Sequence, residues 1–259
     1  METNRKEFLC CPVCKGDLIF TGTDPRSEVL SEAFCENCNK AYEWNDGYLD
    51  FLGNKGLIHS SKQEKFVRSI YAKFYTPLTN FMFLLCGGVK NARLEVINHL
   101  EISDNDIVLE TGMGPGDNFP LLVARTENLK IFGIDIQKQM LIHSLKNIRK
   151  WNIDAELFRS DAEELPFRDE RFDVVFHLGA FNLFNDKKKA LDEMIRVAKS
   201  GTRIVIADES EKGSKIFNLL TGTKGDVIPP IDLIPDKMLN ITMETIWRSY
   251  GYVIAFTKP

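Results

Sequence analysis

The sequence has no long hydrophobic run. Its longest apolar stretch, FMFLLC at residues 81–86, is far too short to cross a bilayer, and the first ten residues contain no apolar segment typical of a secretory signal. Basic residues are not in excess, and the net charge of -4 argues against a protein that binds nucleic acid over its whole surface. Internal repeats and low-complexity tracts are absent. We therefore expect a cytoplasmic globular protein, and 259 residues allow one full-sized domain and a small second one.

Cysteine is scarce, but four of the six cysteines form two pairs. Cys11 and Cys14 in CPVC, with Cys35 and Cys38 in CENC, give the spacing C-x2-C-x20-C-x2-C. Two tight knuckles of this kind point four thiolates at one ion, so the spacing predicts a structural zinc ion in a ribbon at residues 1–53. Two disulfides or a redox pair are the alternatives, and a reducing compartment disfavours both.

The chain from about residue 104 alternates between strand-like and helix-like segments. The apolar runs DIVLE, KIFGID, FDVVFHLG and RIVIAD are typical of parallel strands that helices cover on both faces. The last segment, ITMETIWRSYGYVIAFTKP, contains two strand-like stretches whose tight connection makes them antiparallel. We predict an α/β fold: a doubly wound, mostly parallel seven-stranded sheet with a C-terminal antiparallel strand pair at residues 91–259. A helical linker or lid at 54–90 would join it to the ribbon.

A glycine-rich turn, ETGMGPGDN at residues 110–118, follows the first of these strands. It indicates a nucleotide site, but it departs from the dinucleotide pattern G-x-G-x-x-G because the third glycine is Gly116, one position early. Glu110 ends the strand beside the turn, where a carboxylate would repel a pyrophosphate and attract a cationic amino group. An NAD-dependent oxidoreductase is therefore disfavoured.

Two further acids lie where strands end, which is where open parallel sheets bind their ligands. Asp135 ends the second strand, about 20 residues beyond the glycines, and its carboxylate suits the two hydroxyls of a ribose. Asp161 follows the third strand, where it could accept a hydrogen bond from the exocyclic amine of an adenine.

Three segments together resemble the class I S-adenosylmethionine-dependent methyltransferases, and the ubiquinone/menaquinone-biosynthesis group most of all. They are VLETGMGPGD, GIDIQKQML and DAEELPFRDERFDVVF. The resemblance implies that the cofactor is S-adenosylmethionine, with its methionine portion held by Glu110 and by the backbone of Gly112 and Gly114. It also implies further contacts: Asp135 to the ribose, Ile136 packed on adenine, Asp161 and the Ala162 amide on the adenine edge, and Tyr71 and Tyr75 closing over the cofactor.

Methyl transfer needs a dry pocket and good placement more than a dedicated base. If the acceptor must lose a proton, His177 is the candidate, because VVFHLG puts it at the expected exposed end of the fourth strand. A hydrogen-bonded structural histidine is the alternative.

The methyl acceptor is the main ambiguity. Through its segments CPVCKGDL and YEWNDGYLDFL, the ribbon resembles a small zinc-ribbon family that activates tRNA methyltransferases, and such ribbons also occur fused to an rRNA guanine methyltransferase. However, residues 1–53 carry ten acidic and five basic residues, whereas RNA binding favours basic surfaces. Residues 54–94 are basic, with seven basic residues against one acid. We expect a small or lipid-like acceptor. An RNA base methyltransferase is the alternative, and a non-catalytic module whose ribbon docks a protein partner is the second.

Overall fold

The structure is a computed structural model of the chain. It describes residues 5–21, 32–53, 83–84, 87–215 and 227–259. The helices are α1 (Arg5–Phe8), α2 (Val89–Ile97), α3 (Phe119–Val123), α4 (Lys138–Trp151) and α5 (Lys187–Val197). The first strands are β1 (Ile19–Thr21), β2 (Glu32–Cys35), β3 (Lys40–Asn45) and β4 (Tyr48–Asp50). The remaining strands are β5 (Ile107–Thr111), β6 (Lys130–Asp135), β7 (Ala155–Arg159), β8 (Phe172–Leu178), β9 (Ala198–Glu209), β10 (Leu239–Ile246) and β11 (Gly251–Thr257).

The strands form one mixed sheet with the order β1-β2-β3-β4-β7-β6-β5-β8-β9-β11-β10. Its centre, from β7 to β9, is parallel throughout. At the far side β11 lies antiparallel to both β9 and β10. The mostly parallel core and the C-terminal antiparallel pair are therefore as predicted.

The ribbon strands extend the sheet of the α/β domain. Strand β4 pairs in parallel with β7, so that Tyr48 lies opposite Leu157 and Asp50 lies opposite Arg159. Residues 91–259 contribute seven strands, β5 to β11, and with the four ribbon strands the described part of the chain has one sheet of eleven strands. A strand with an open edge presents unpaired backbone groups, and the short β4 satisfies those of β7.

The two faces of the sheet are covered by different elements. Successive strand residues alternate between two apolar clusters: Val108 packs with α2, α3 and α4, whereas Leu109 packs with α5 and the ribbon. The connection from β7 to β8, residues 160–171, is fully described and contains no helix. The ribbon covers the sheet there, and Phe8 stacks on Phe132 with ring centroids 5.2 Å apart.

Some expectations concern residues that the structure does not describe. Tyr71, Tyr75 and most of the expected lid at 54–90 lie outside the described residues. Across the described ranges, no helix has the length and apolar character that crossing a membrane requires.

Candidate functional site

The glycine turn after β5 is a backbone conformation that depends on glycine. Gly112, Gly114 and Gly116 all have positive φ, at 65°, 56° and 77°. A Cβ atom on Gly112 would also lie 2.8 Å from Cε1 of His177, and one on Gly116 would lie 2.8 Å from Oγ of Ser144. The turn is therefore packed closely against its neighbours, and side chains at these positions would distort it.

The Asp135 carboxylate connects this turn to the end of β6. Its Oδ2 accepts a hydrogen bond from the Gly114 amide at 2.9 Å, and its Oδ1 accepts one from the Gln137 amide at 2.8 Å. Each carboxylate oxygen can accept more than one hydrogen bond. The half-buried Ile136 follows directly.

Glu110 is the most unusual acid of the site, because it is only 1% exposed. Its Oε1 accepts a hydrogen bond from Nδ2 of Asn118 at 2.5 Å, while its Oε2 is buried without a hydrogen-bond partner among the described residues. Burial raises the pKa of this carboxyl to about 8. An unpaired buried carboxylate oxygen is costly, and a ligand cation would satisfy it.

The turn after β7 lies against the same region. The Ser160 amide donates a hydrogen bond to the Asp135 carbonyl at 3.2 Å. The Asp161 carboxylate accepts from the Glu163 amide at 3.0 Å, and Ala162 is buried. The structure therefore brings together the ends of β5, β6 and β7, with the glycine turn, Asp135 and Asp161.

His177 does not lie at an exposed strand end, so that expectation is wrong. The side chain is 0% exposed, because the residues after β8 fold back and set Phe181 and Phe184 edge-on to its ring. Nδ1 lies 2.7 Å from the Thr111 carbonyl oxygen, which can only accept, so Nδ1 carries the proton. Nε2 is buried with no hydrogen-bond partner in the described ranges. Burial lowers the pKa of the ring and keeps it neutral.

The four paired cysteines converge. The sulfur atoms of Cys11, Cys14, Cys35 and Cys38 all lie within 4.8 Å of one another. Four thiolates around a tetrahedral zinc ion, with Zn–S bonds of about 2.3 Å, have sulfur atoms roughly 3.8 Å apart. The hydroxyl of Tyr42 lies 3.0 Å from Sγ of Cys11, where it can donate to a thiolate. The donor set and its spacing fit zinc.

Sequence reasoning missed Asn118 and Arg93. Besides donating to Glu110, Asn118 accepts a hydrogen bond from Nη1 of Arg93 at 2.8 Å, and Nη2 of Arg93 reaches Asp117 at 3.2 Å. Asn118 closes the motif ETGMGPGDN, so its position in that motif was the available signal. Arg93 lies on α2, and nothing in the local sequence connects it to the turn.

Comparison with known proteins agrees with this geometry. Residues 108–201 match the family model described as a methyltransferase domain. The chain contains a class I S-adenosylmethionine-dependent methyltransferase domain. A demethylmenaquinone methyltransferase of Thermotoga maritima is 34% identical to the chain over 110 residues, which are 42% of this chain and 46% of the relative. A phosphatidylethanolamine N-methyltransferase of Cereibacter sphaeroides is 32% identical over 103 residues, which are 39% and 49% of the two chains.

A solved structure shows the same fold as this methyltransferase domain. Phosphoethanolamine N-methyltransferase 2 of Haemonchus contortus, in complex with S-adenosyl-L-methionine, superposes with a TM-score of 0.59 at 17% identity. The superposition covers 74% of this chain and 60% of that chain. In the sequence comparisons the chain spans about half the length of the two curated relatives.

Replacing Glu110 by Gln should change how stability depends on pH. The folded carboxyl has a pKa of about 8 against an ordinary value of 4.5, so its stabilising contribution is complete below the lower value and is lost as the pH rises towards the higher one. Relative to Glu110→Gln, we expect the free energy of unfolding of the wild type to fall between about pH 5 and about pH 8, by up to about 1.4 kcal/mol per pH unit.

Urea unfolding of both proteins across this range measures the difference. The variant keeps an acceptor for Asn118, and other groups with raised pKa values, such as Glu209 at about 9, are common to both proteins and cancel. If the free energies of unfolding of the wild type and of Glu110→Gln change with pH in the same way across this range, the assigned pKa is wrong.

Proposed function

We propose that the protein transfers a methyl group from S-adenosylmethionine to a small or lipid-like organic acceptor, and that its ribbon holds one structural zinc ion. The observation that carries the cofactor assignment is the buried Oε2 of Glu110, which has no hydrogen-bond partner among the described residues. Glu110 is the second-last residue of β5, directly before the glycine turn. A carboxylate in this place suits the ammonium group of a methionine and disfavours a pyrophosphate.

The residues at the ends of β5, β6 and β7 would each hold a different part of the cofactor. Glu110, with the backbone of Gly112 and Gly114, would bind the methionine portion. Asp135 would accept the ribose hydroxyls while it keeps its two backbone hydrogen bonds. Three residues would contact the adenine: Ile136, Asp161 and Ala162.

When bound, S-adenosylmethionine supplies an electrophilic methyl group on a sulfonium, whose positive charge is lost in the transfer. Exclusion of water and alignment of the acceptor therefore provide most of the acceleration. We assign His177 the structural role instead of the role of general base, because its ring is fully buried and its hydrogen bond to the Thr111 carbonyl holds it against the glycine turn.

A small or lipid-like acceptor is supported by the relatives and by the ribbon. The relatives are named for demethylmenaquinone and phosphatidylethanolamine, which are small or lipid-like molecules. The ribbon is acidic, and part of its apolar surface packs on the domain through Phe8, Leu9 and Phe51. This leaves it poorly suited to contact RNA phosphates.

The acceptor is tested with methyl-labelled S-adenosylmethionine and three defined probes: demethylmenaquinone, phosphatidylethanolamine vesicles and ribosomal RNA. We expect label in a quinone or lipid probe and none in RNA. Asp135→Ala serves as the control, because losing the ribose contacts should weaken cofactor binding on the order of 2–4 kcal/mol. Methyl incorporation into RNA would replace this proposal with the RNA enzyme, and no incorporation at all, together with no cofactor binding, would favour the non-catalytic module.

The zinc proposal is tested by replacing one ligand. Cys35→Ser should lower the free energy of unfolding by several kcal/mol, since metal binding contributes directly to folding, and by more than Cys10→Ser, which lies outside the four-sulfur cluster. Because the ribbon strands continue the sheet, ribbon and domain should unfold in one transition that a zinc chelator shifts. Metal analysis and urea unfolding measure both effects. If the protein purified under reducing conditions contains no zinc, the proposal is wrong.

A further inference from the structure

Arg159 is a buried arginine at the point where the ribbon meets the candidate cofactor site. It ends β7, and in the sheet it lies between Asp50 of β4 and Asp135 of β6. Arg159 is 9% exposed and Asp50 is 6% exposed. Neither residue had a role in the sequence analysis, because an arginine at the end of an apolar strand gives no signal of its partners.

The guanidinium of Arg159 contacts both sides of this junction. Towards the ribbon, Nη1 donates to Oδ2 of Asp50 at 2.9 Å and to the Gly53 carbonyl at 2.9 Å. Towards the domain, Nε donates to the Ile136 carbonyl at 3.2 Å. A single planar side chain therefore connects the end of the ribbon to the residue that follows Asp135.

The ribbon side of this connection is itself fixed. Oδ1 of Asp50 accepts hydrogen bonds from the amides of Leu52 and Gly53, at 2.9 Å and 2.8 Å. The Phe51 amide donates to the Arg159 carbonyl at 2.9 Å. Asp50 is thus held by its own turn and by the backbone pairing of β4 with β7, and it presents its second oxygen to Arg159.

The domain side is the turn that would contact ribose and adenine. The Asp135 carboxylate accepts a hydrogen bond from the Gln137 amide. Arg159 donates to the carbonyl of Ile136, the residue between Asp135 and Gln137. The orientation of that peptide sets where the Asp135 carboxylate and the Ile136 side chain point.

A buried ion pair usually adds little net stability, because desolvation offsets the attraction, and its value is often in fixing one arrangement. We propose that Arg159 is a positioning residue of the cofactor site, through which the ribbon holds the Asp135–Gln137 turn in its binding conformation. The inference rests on the proposed function, since it takes this turn to bind the adenosine part of S-adenosylmethionine.

Arg159→Met tests the inference, because methionine keeps much of the side-chain length without the donors. The matched control is Arg168→Met, since Arg168 also joins ribbon and domain, through Nε to the Lys6 carbonyl at 3.0 Å and Nη2 to Asp17 at 2.6 Å, but contacts no residue of the turn. Four quantities are measured on each protein: zinc content, the calorimetric Kd for S-adenosylmethionine, the exchange rate of the Gln137 amide in the ligand-free protein, and the rate of methyl transfer to the probe that takes up label in the acceptor experiment.

With zinc retained, we expect Arg159→Met to raise the Kd about tenfold, the effect of losing a charged hydrogen-bond network, and to speed exchange of the Gln137 amide. Arg168→Met should leave both within about twofold. At saturating cofactor the rate of methyl transfer should be close to that of the wild type, so the KM for the cofactor changes and kcat does not. A KM that changes while kcat does not distinguishes a positioning role from a general loss of folding.

A wild-type Kd or an unchanged exchange rate in zinc-loaded Arg159→Met would overturn the inference. If that variant does not fold, Asp50→Asn takes its place, since its amide oxygen keeps the acceptor for the Leu52 and Gly53 amides, while an NH2 group that cannot accept replaces the oxygen that Arg159 binds. A Kd unchanged in Asp50→Asn would equally overturn the inference. Failure of the wild type itself to bind S-adenosylmethionine is a different result, and it would overturn the proposed function.

Discussion

The candidate site depends on the Asp135 carboxylate, which accepts hydrogen bonds from two turns at once. One bond, to Gly114, closes the glycine turn after β5, and the other, to Gln137, shapes the turn after β6. The glycines supply positive φ and room for this closure, and Arg159 extends the same set of contacts to the ribbon. In the proposed function, the carboxylate that organises both turns also accepts hydrogen bonds from the ribose hydroxyls.

The ribbon completes the sheet and one of its faces. Because residues 160–171 cross from β7 to β8 without a helix, the rings of Phe132, Phe158 and Phe172 on that face need another cover. Phe8 stacks on Phe132 at 5.2 Å, Phe51 approaches Phe158 at 6.3 Å, and β4 covers the edge of β7. Burying aromatic rings of this size is worth about 1.5–3 kcal/mol each, so the ribbon is part of the core that supports the turns of the candidate site.

Much of this could be predicted from local sequence. Apolar runs indicated the parallel strands, the spacing of four cysteines indicated their convergence, and ETGMGPGDN indicated the turn. Long-range features could not be predicted. Strand β4 has three residues, and its pairing with β7 depends on which edge is open. The burial of His177 depends on Phe181 and Phe184 folding back after β8, and the position of Arg159 depends in part on Asp50 and Gly53, which are more than 100 residues away in the chain.

Calorimetric titration with S-adenosylmethionine and with NAD, in two buffers of different ionisation enthalpy, tests the central claim most directly. In the ligand-free protein the pKa of Glu110 is about 8, so at about pH 7 the carboxyl is mostly protonated, and pairing with an ammonium group should ionise it. The account predicts that S-adenosylmethionine binds with release of about one proton and that NAD does not bind. Binding of NAD, or binding of S-adenosylmethionine with no change in protonation, would contradict it.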